Sequence, residues 1–94
     1  NQKEGKYYFL GIGGIGMSAL AKYLFDLGNK VMGYDKTPSP VTSQLMNHGI
    51  SVVFDESVSV IPKEYQQEDT QIVFTPAIPE DNTQLQYFIE QENI

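Results

Sequence analysis

Apolar residues along this chain fall into short runs and helical stripes, punctuated by glycine and proline. Tyr7–Leu10 is an aromatic and aliphatic run that predicts a strand. A helix is expected from about Gly14 to Leu27. Leu20, Leu24 and Leu27 recur there at i, i+4 and i+7, with Ala21 and Phe25 alongside, which predicts one apolar face. Gly28 follows as a stop. Lys30–Tyr34 predicts a second strand. Ser39-Pro40 reads as an N-cap and first helical position. The short helix it opens runs through Asn47, turns Val41 and Leu45 inward and closes at Gly49. Ile50–Phe54 and Gln71–Thr75 predict a third and a fourth strand, separated by a loop with one helical turn at Asp55–Asp69. Thr75-Pro76 and Ile78-Pro79 mark another loop. Asp81 or Asn82 then caps a last helix whose buried stripe is Leu85, Phe88 and Ile89.

Strand and helix therefore alternate four times, the pattern of a parallel sheet with right-handed crossovers. The expected fold is α/β: one Rossmann-like three-layer domain over residues 1–94, with a parallel sheet of four to five strands, the fifth beginning at Ile94. No internal repeat, low-complexity segment or linker interrupts it. Such sheets bind ligands at the carboxyl ends of their strands, near the point where strand order reverses. The loops that matter are then Gly11–Met17, Asp35–Ser39 and Thr75–Asn82.

Composition narrows the chemistry. A chain of 94 residues suits one small domain with a modest core. It begins without Met and stops directly after a helical pattern, so a piece of a longer protein is expected. There is no cysteine, which excludes a disulfide framework and thiolate chemistry and fits a reducing compartment; a cytoplasmic location is expected. No 18-residue apolar run and no basic, apolar leader is present, so neither a membrane span nor a signal peptide is expected. The net charge of −6 argues against a nucleic-acid partner. That charge is lopsided. Residues 1–54 carry Lys3, Lys6, Lys22, Lys30 and Lys36 against Glu4, Asp26 and Asp35, whereas residues 55–94 carry Lys63 against nine acids. The chain has no arginine, so a bound phosphate receives no bidentate guanidinium clamp from it. Backbone N–H groups, hydroxyls and lysine must hold the anion, and any arginine must come from another domain. Weak binding by the chain alone is the expectation.

Gly11, Gly13 and Gly16 spell G-x-G-x-x-G directly after a strand and at the opening of a helix. In that motif the first glycine permits the tight turn. The second lets a diphosphate approach the backbone, and the third lets helix and strand pack closely. The N–H groups of Ile15, Gly16 and Met17 are then open donors at a positive helix end, and Ser18 offers a hydroxyl. Asp35 lies where a nucleotide-binding unit carries its acid, able to accept from a ribose hydroxyl or a base N–H. Lys36 and Thr37 follow it. The competing readings are a glycine turn with no ligand and an aspartate that caps its own turn. His48 has no clustered ligand partner and sits in the last turn of the second helix, where a cation suits the dipole. Tyr7-Tyr8-Phe9 reads as sheet packing, and Asp55-Glu56 and Glu68-Asp69 as solvated loop charges. With no Ser/His/Asp set and no P-loop, nothing here activates a nucleophile or hydrolyses a nucleotide.

Two segments carry a family resemblance. "FLGIGGIGMSALA", Phe9 to Ala21, resembles the N-terminal signature of the Mur ligase family in its L-alanine-adding branch, the UDP-N-acetylmuramate–L-alanine ligases. The doubled Gly13-Gly14 and the Met17-Ser18 pair are more specific than the generic motif. "TPAIPEDN", Thr75 to Asn82, is similar to that family's Ser-Ser-Ala-Ile-Pro turn and following Asp-Asn. The resemblance spans nearly the whole chain. It implies the first of three domains, binding the UDP part of UDP-N-acetylmuramate in peptidoglycan precursor synthesis. The other two domains of the same chain would supply the ATP and Mg²⁺ site and the amino acid. The full enzyme would phosphorylate the muramoyl carboxylate and let L-alanine displace the phosphate. This part would bind without catalysing and would need no cofactor of its own. By position, Gly13, Gly14, Ile15, Gly16, Met17 and Ser18 would hold the diphosphate. Asp35, Lys36 and Thr37 would face the uridine. Thr75, Ala77 and Ile78 would line the pocket from the last loop, with Pro76 and Pro79 stiffening it. The chain departs from the pattern at Tyr34, where the family often has Ser, at Thr75-Pro76 for a Ser pair, and at Asp55-Glu56 for Gly-His. An NAD-binding regulatory module of a potassium-transport system shares the turn and the acid but gives no reason for "AIPEDN". The nucleotide half of a dehydrogenase and a non-catalytic ligand sensor are further alternatives.

Overall fold

The computed structural model describes residues 4–93. The chain runs β1 (Lys6–Leu10), α1 (Ile15–Asp26), β2 (Lys30–Tyr34), α2 (Pro40–Asn47) and β3 (Ser51–Val53). Two 3-10 turns follow at Val58–Val60 and Lys63–Gln66, then β4 (Thr70–Val73) and α3 (Thr83–Glu90). The four strands are all parallel, in the order β3-β2-β1-β4. Strand order reverses at β1, which is paired to β2 on one side and β4 on the other. A fifth strand at Ile94 lies outside the described residues.

Side chains alternate across a strand, so neighbouring residues of β1 build two different cores. Phe9, with Val31, packs under α1 and α2 against Ala21, Leu45 and Ile50. Tyr8 and Leu10, with Met32 and Tyr34, pack on the opposite face against Ile61, Tyr65, Leu85 and Phe88. The Tyr8 ring lies 5.4 Å from Phe88 and 5.9 Å from Tyr65. Its hydroxyl donates to the buried Gln84 Oε1 at 2.8 Å, and Gln84 Nε2 donates onward to the carbonyls of Asp55 and Ser57. Burial pushes the Tyr8 phenol up, and the hydrogen bond to Gln84 only partly opposes it.

Local chemistry sets the helix starts. Ser39 accepts from the Thr42 N–H while Thr42 Oγ1 accepts from the Ser39 N–H, a reciprocal cap ahead of Pro40. For α3 the cap is Asn82, not Asp81: its Oδ1 accepts from the Leu85 N–H at 2.9 Å. Four sequence expectations shift. The buried side of α1 is Ser18 and Ala21 with Met17, Leu24 and Phe25, while Leu20 and Leu27 are 41% and 62% exposed. Nearly every side of that helix is apolar, so periodicity alone cannot fix which side faces in. In α3 the stripe is Gln84, Leu85 and Phe88, and Ile89 is 47% exposed. The Asp55–Asp69 loop holds two short turns instead of one, and they bring Ile61 and Tyr65 into the core. Asp69 is not merely solvated: it pairs with Lys6 Nζ at 2.8 Å. His48 ends α2 as its C-cap, where its Nε2 lies 2.8 Å from Asp26 Oδ1 at the end of α1.

Candidate functional site

The carboxyl ends of β1, β2 and β4 open onto one cleft with two compartments. Gly11 begins it, with φ +91°, a conformation that glycine adopts without strain. Its N–H and that of Ile12 both donate to the Tyr34 carbonyl, at 2.8 and 3.0 Å. The turn after β1 is thereby stitched to the end of β2. Gly14 is the N-cap of α1 and contributes no side-chain cap, and no acid occupies the first turn. The Ser18 N–H donates to the Gly14 carbonyl at 2.7 Å, the first i to i−4 bond of the helix. The N–H groups of Ile15, Gly16 and Met17 are the orphan donors of that helix end, backed by its dipole.

One compartment, of 480 Å³, lies over these donors and is lined by Gly11, Gly14, Gly16, Met17, Asp35, Thr75, Ala77 and Ile78. The other, of 290 Å³, adds a different set of groups to the shared Gly11, Asp35, Ala77 and Ile78. These are Tyr34, Lys36, Glu56, Pro79, Asp81 and Asn82. The chemistry of the two compartments differs. The first offers backbone donors and suits an anion. The second gathers the carboxylates Asp35, Glu56 and Asp81 around one lysine. Such a pocket repels phosphate and accepts hydrogen bonds from hydroxyl and N–H groups.

Most of the expected residues meet here. Gly14, Gly16, Met17, Asp35, Lys36, Thr75, Ala77 and Ile78 line the cleft. Others do not. The Ile15 side chain is 87% exposed, leaving only its backbone to contribute. Ser18 is buried and its hydroxyl donates back to the Ile15 carbonyl at 3.0 Å, so it serves the helix turn. Thr37 uses its N–H on Asp35 Oδ1 at 3.1 Å. In the last loop, the Ala77 N–H goes to Thr75 Oγ1 and the Ile78 N–H to the Thr75 carbonyl. Those two donors hold the loop together. Two glycine roles change as well. A Cβ on Gly16 would meet nothing within 4 Å, so it is not there for helix–strand packing. A Cβ on Gly13 would stand 2.7 Å from Asp35 Oδ2, so a neighbouring side chain already fills the space expected for a ligand.

Sequence reasoning placed the Thr75–Asn82 loop at the site but gave no ligand-facing role to Pro79, Asp81 or Asn82, and it did not place Tyr34 or Glu56 there. Glu56 is solvent-exposed, as expected of a loop charge, but it also has a fixed partner. Its Oε2 accepts from the Thr83 N–H at 3.0 Å and the Thr83 hydroxyl at 2.8 Å, at the start of α3. Those two bonds hold its carboxyl below the usual range. Tyr34 is buried, and its phenol is pushed up by desolvation first, then by Glu56 and Asp35, so it stays a neutral hydroxyl. The available signal was position: Tyr34 ends β2, Glu56 follows β3, and Pro79, Asp81 and Asn82 follow β4, all at the carboxyl edge of the sheet.

Comparison with known proteins identifies the family and matches the fold. A model of the "Mur ligase family, catalytic domain" matches residues 6–92. The UDP-N-acetylmuramate–L-alanine ligase of Flavobacterium johnsoniae is 52% identical over 91 residues, 97% of this chain and 20% of that protein. That of Porphyromonas gingivalis is 51% identical over 84 residues, 88% of this chain and 18% of that protein. The crystal structure of the corresponding ligase from Thermotoga maritima superposes with a TM-score of 0.80 at 31% identity, over 93% of this chain and 19% of the other. The chain spans about a fifth of the length of the curated relatives it matches. The family match over nearly the whole chain, on the fold and glycine turn just described, places the chain in the Mur ligase family.

Proposed function

We propose that the chain is the UDP-binding part of an ATP-dependent ligase that joins L-alanine to UDP-N-acetylmuramate. The observation that carries this reading is the cleft's division. Open N–H donors at the start of α1 lie beside a compartment rich in acceptors. A UDP-sugar has the matching order of groups, a diphosphate next to a hydroxyl-bearing nucleoside. The diphosphate rests on the Ile15, Gly16 and Met17 N–H groups, while the uridine enters the compartment of Tyr34, Glu56 and Asn82. Relatives named for this reaction support the assignment. ATP, Mg²⁺ and the amine would be handled by the other domains of a full-length ligase acting in the cytoplasm. This chain's share is to bind and orient the substrate.

Thermal melting with UDP-N-acetylmuramate, UDP and NADH tests the reading. A ligand at 100 times its dissociation constant adds about 2.7 kcal/mol, several degrees for a domain this size. Both uridine compounds are expected to raise the melting temperature, and NADH to leave it unchanged. A shift with NADH alone would replace this reading with the NAD-binding module. With no arginine in the chain, micromolar or weaker binding is expected; nanomolar affinity would contradict that part.

A further inference from the structure

Asp35 stands where a ribose-binding acid is expected, yet both its oxygens already accept from the backbone. Oδ2 takes the Gly13 N–H at 2.7 Å and Oδ1 takes the Thr37 N–H at 3.1 Å. The first is a short bond of the charge-assisted kind. It crosses from the end of β2 to the middle of the glycine turn. An added Cβ on Gly13 would come within 2.7 Å of Oδ2 and 3.0 Å of Thr42 Cγ2. The second glycine of the motif is therefore required by Asp35 and Thr42, before any ligand arrives. The rest of the turn is tied by backbone alone: Gly11 and Ile12 N–H to the Tyr34 carbonyl, and Gly14 N–H to the Gly11 carbonyl. Gly13 is the one N–H of Gly11–Gly14 that is held by a side chain.

We propose that Asp35 is a positioning residue for the anion site: it withdraws the Gly13 N–H from the ligand and fixes the turn, leaving Ile15, Gly16 and Met17 as the donors. An anion landing on the turn meets these three N–H groups at the helix end, and Gly13 stays with the carboxylate. The ligand half of this proposal rests on the diphosphate reading above; the hold of Asp35 on the turn does not.

Amide hydrogen exchange and ¹⁵N NMR on the 94-residue chain test it, with inorganic pyrophosphate as the probe. In the unliganded chain the Gly13 amide is expected to exchange at least about tenfold more slowly than in Asp35→Ala. Asp35→Asn, which keeps one acceptor oxygen, is expected to restore part of that protection. Amides of β1 serve as the control that each variant is folded. Pyrophosphate is expected to move the Ile15, Gly16 and Met17 resonances and to leave Gly13 exchange unchanged. In Asp35→Ala, pyrophosphate protects Gly13 too. Equal Gly13 exchange in the native chain and Asp35→Ala overturns the proposal. So does pyrophosphate protecting Gly13 in the native chain as strongly as Gly16. If pyrophosphate moves no amide, the diphosphate reading and the ligand half fall together, while the exchange rates still decide whether Asp35 holds the turn.

Discussion

The two sides of the cleft use their polar groups in opposite ways. At the start of α1, three backbone donors are left open and no side chain caps them. On the side of β4 and α3, the polar groups are already engaged. Asn82 caps α3, Glu56 holds Thr83, and Thr75 binds the two N–H groups that follow it. One side is thus a ready acceptor of charge. The other is a braced wall in which the Glu56 carboxylate is held by Thr83. The proposed two-part ligand matches that difference: the open donors would take its anion, and the wall would take its neutral part.

Loosening the wall is the harshest way to break the comparison. Phe88, on the inner face of α3, is fully buried, and Phe88→Ala is expected to cost about 3–5 kcal/mol in a urea titration. Amides at Leu85 and around Glu56 should lose protection before those of α1 do. Loss of α1 protection first would mean that the wall is not the part braced by this core. Next comes the turn. Gly13→Ala forces a Cβ against Asp35 and Thr42, and a loss of about 1–3 kcal/mol is expected. The same change in an Asp35→Ala background should cost less, since only Thr42 remains in the way. Equal costs would show that Asp35 does not set the space at Gly13.

Legibility in the sequence follows the same division. Gly11–Ser18 is contiguous, and its spacing of glycines between a strand and a helix carries a mechanism, so the open donors could be named in advance. The Ser39-Pro40 start of α2 was equally plain, because a cap and its proline are neighbours. The wall draws on Tyr34, Glu56 and Asn82, which only the sheet order brings together. No local pattern marks Glu56, whose role depends on Thr83, 27 residues away. The phase of α1 was unreadable for another reason: with Leu20, Tyr23 and Leu27 as apolar as the buried side, sequence shows a helix without showing its inner face.

Smaller effects sharpen the wall. Asn82→Ala removes the α3 cap from the Leu85 N–H and is expected to cost about 1–2 kcal/mol by denaturant titration. An unchanged midpoint would mean that water or Asp81 replaces the cap. The mildest test is pH. The carboxyl of Glu56 is held below its ordinary value of 4.5 by Thr83, so its stabilising contribution is present above that pH. It is lost as pH falls through the lower, folded-state value. Native chain and Glu56→Gln should therefore differ in melting temperature near neutrality and converge once the pH has fallen through that lowered value. A gap that persists in acid would assign the effect to something other than the ionised carboxylate.

A crystal structure of the chain soaked with UDP tests the central claim most directly. The account predicts diphosphate oxygens within hydrogen-bonding distance of the Ile15, Gly16 and Met17 N–H groups, with the uridine beside Tyr34, Glu56 and Asn82. A diphosphate lodged in the acidic compartment, or bound by Lys36 with the α1 donors left open, would contradict it.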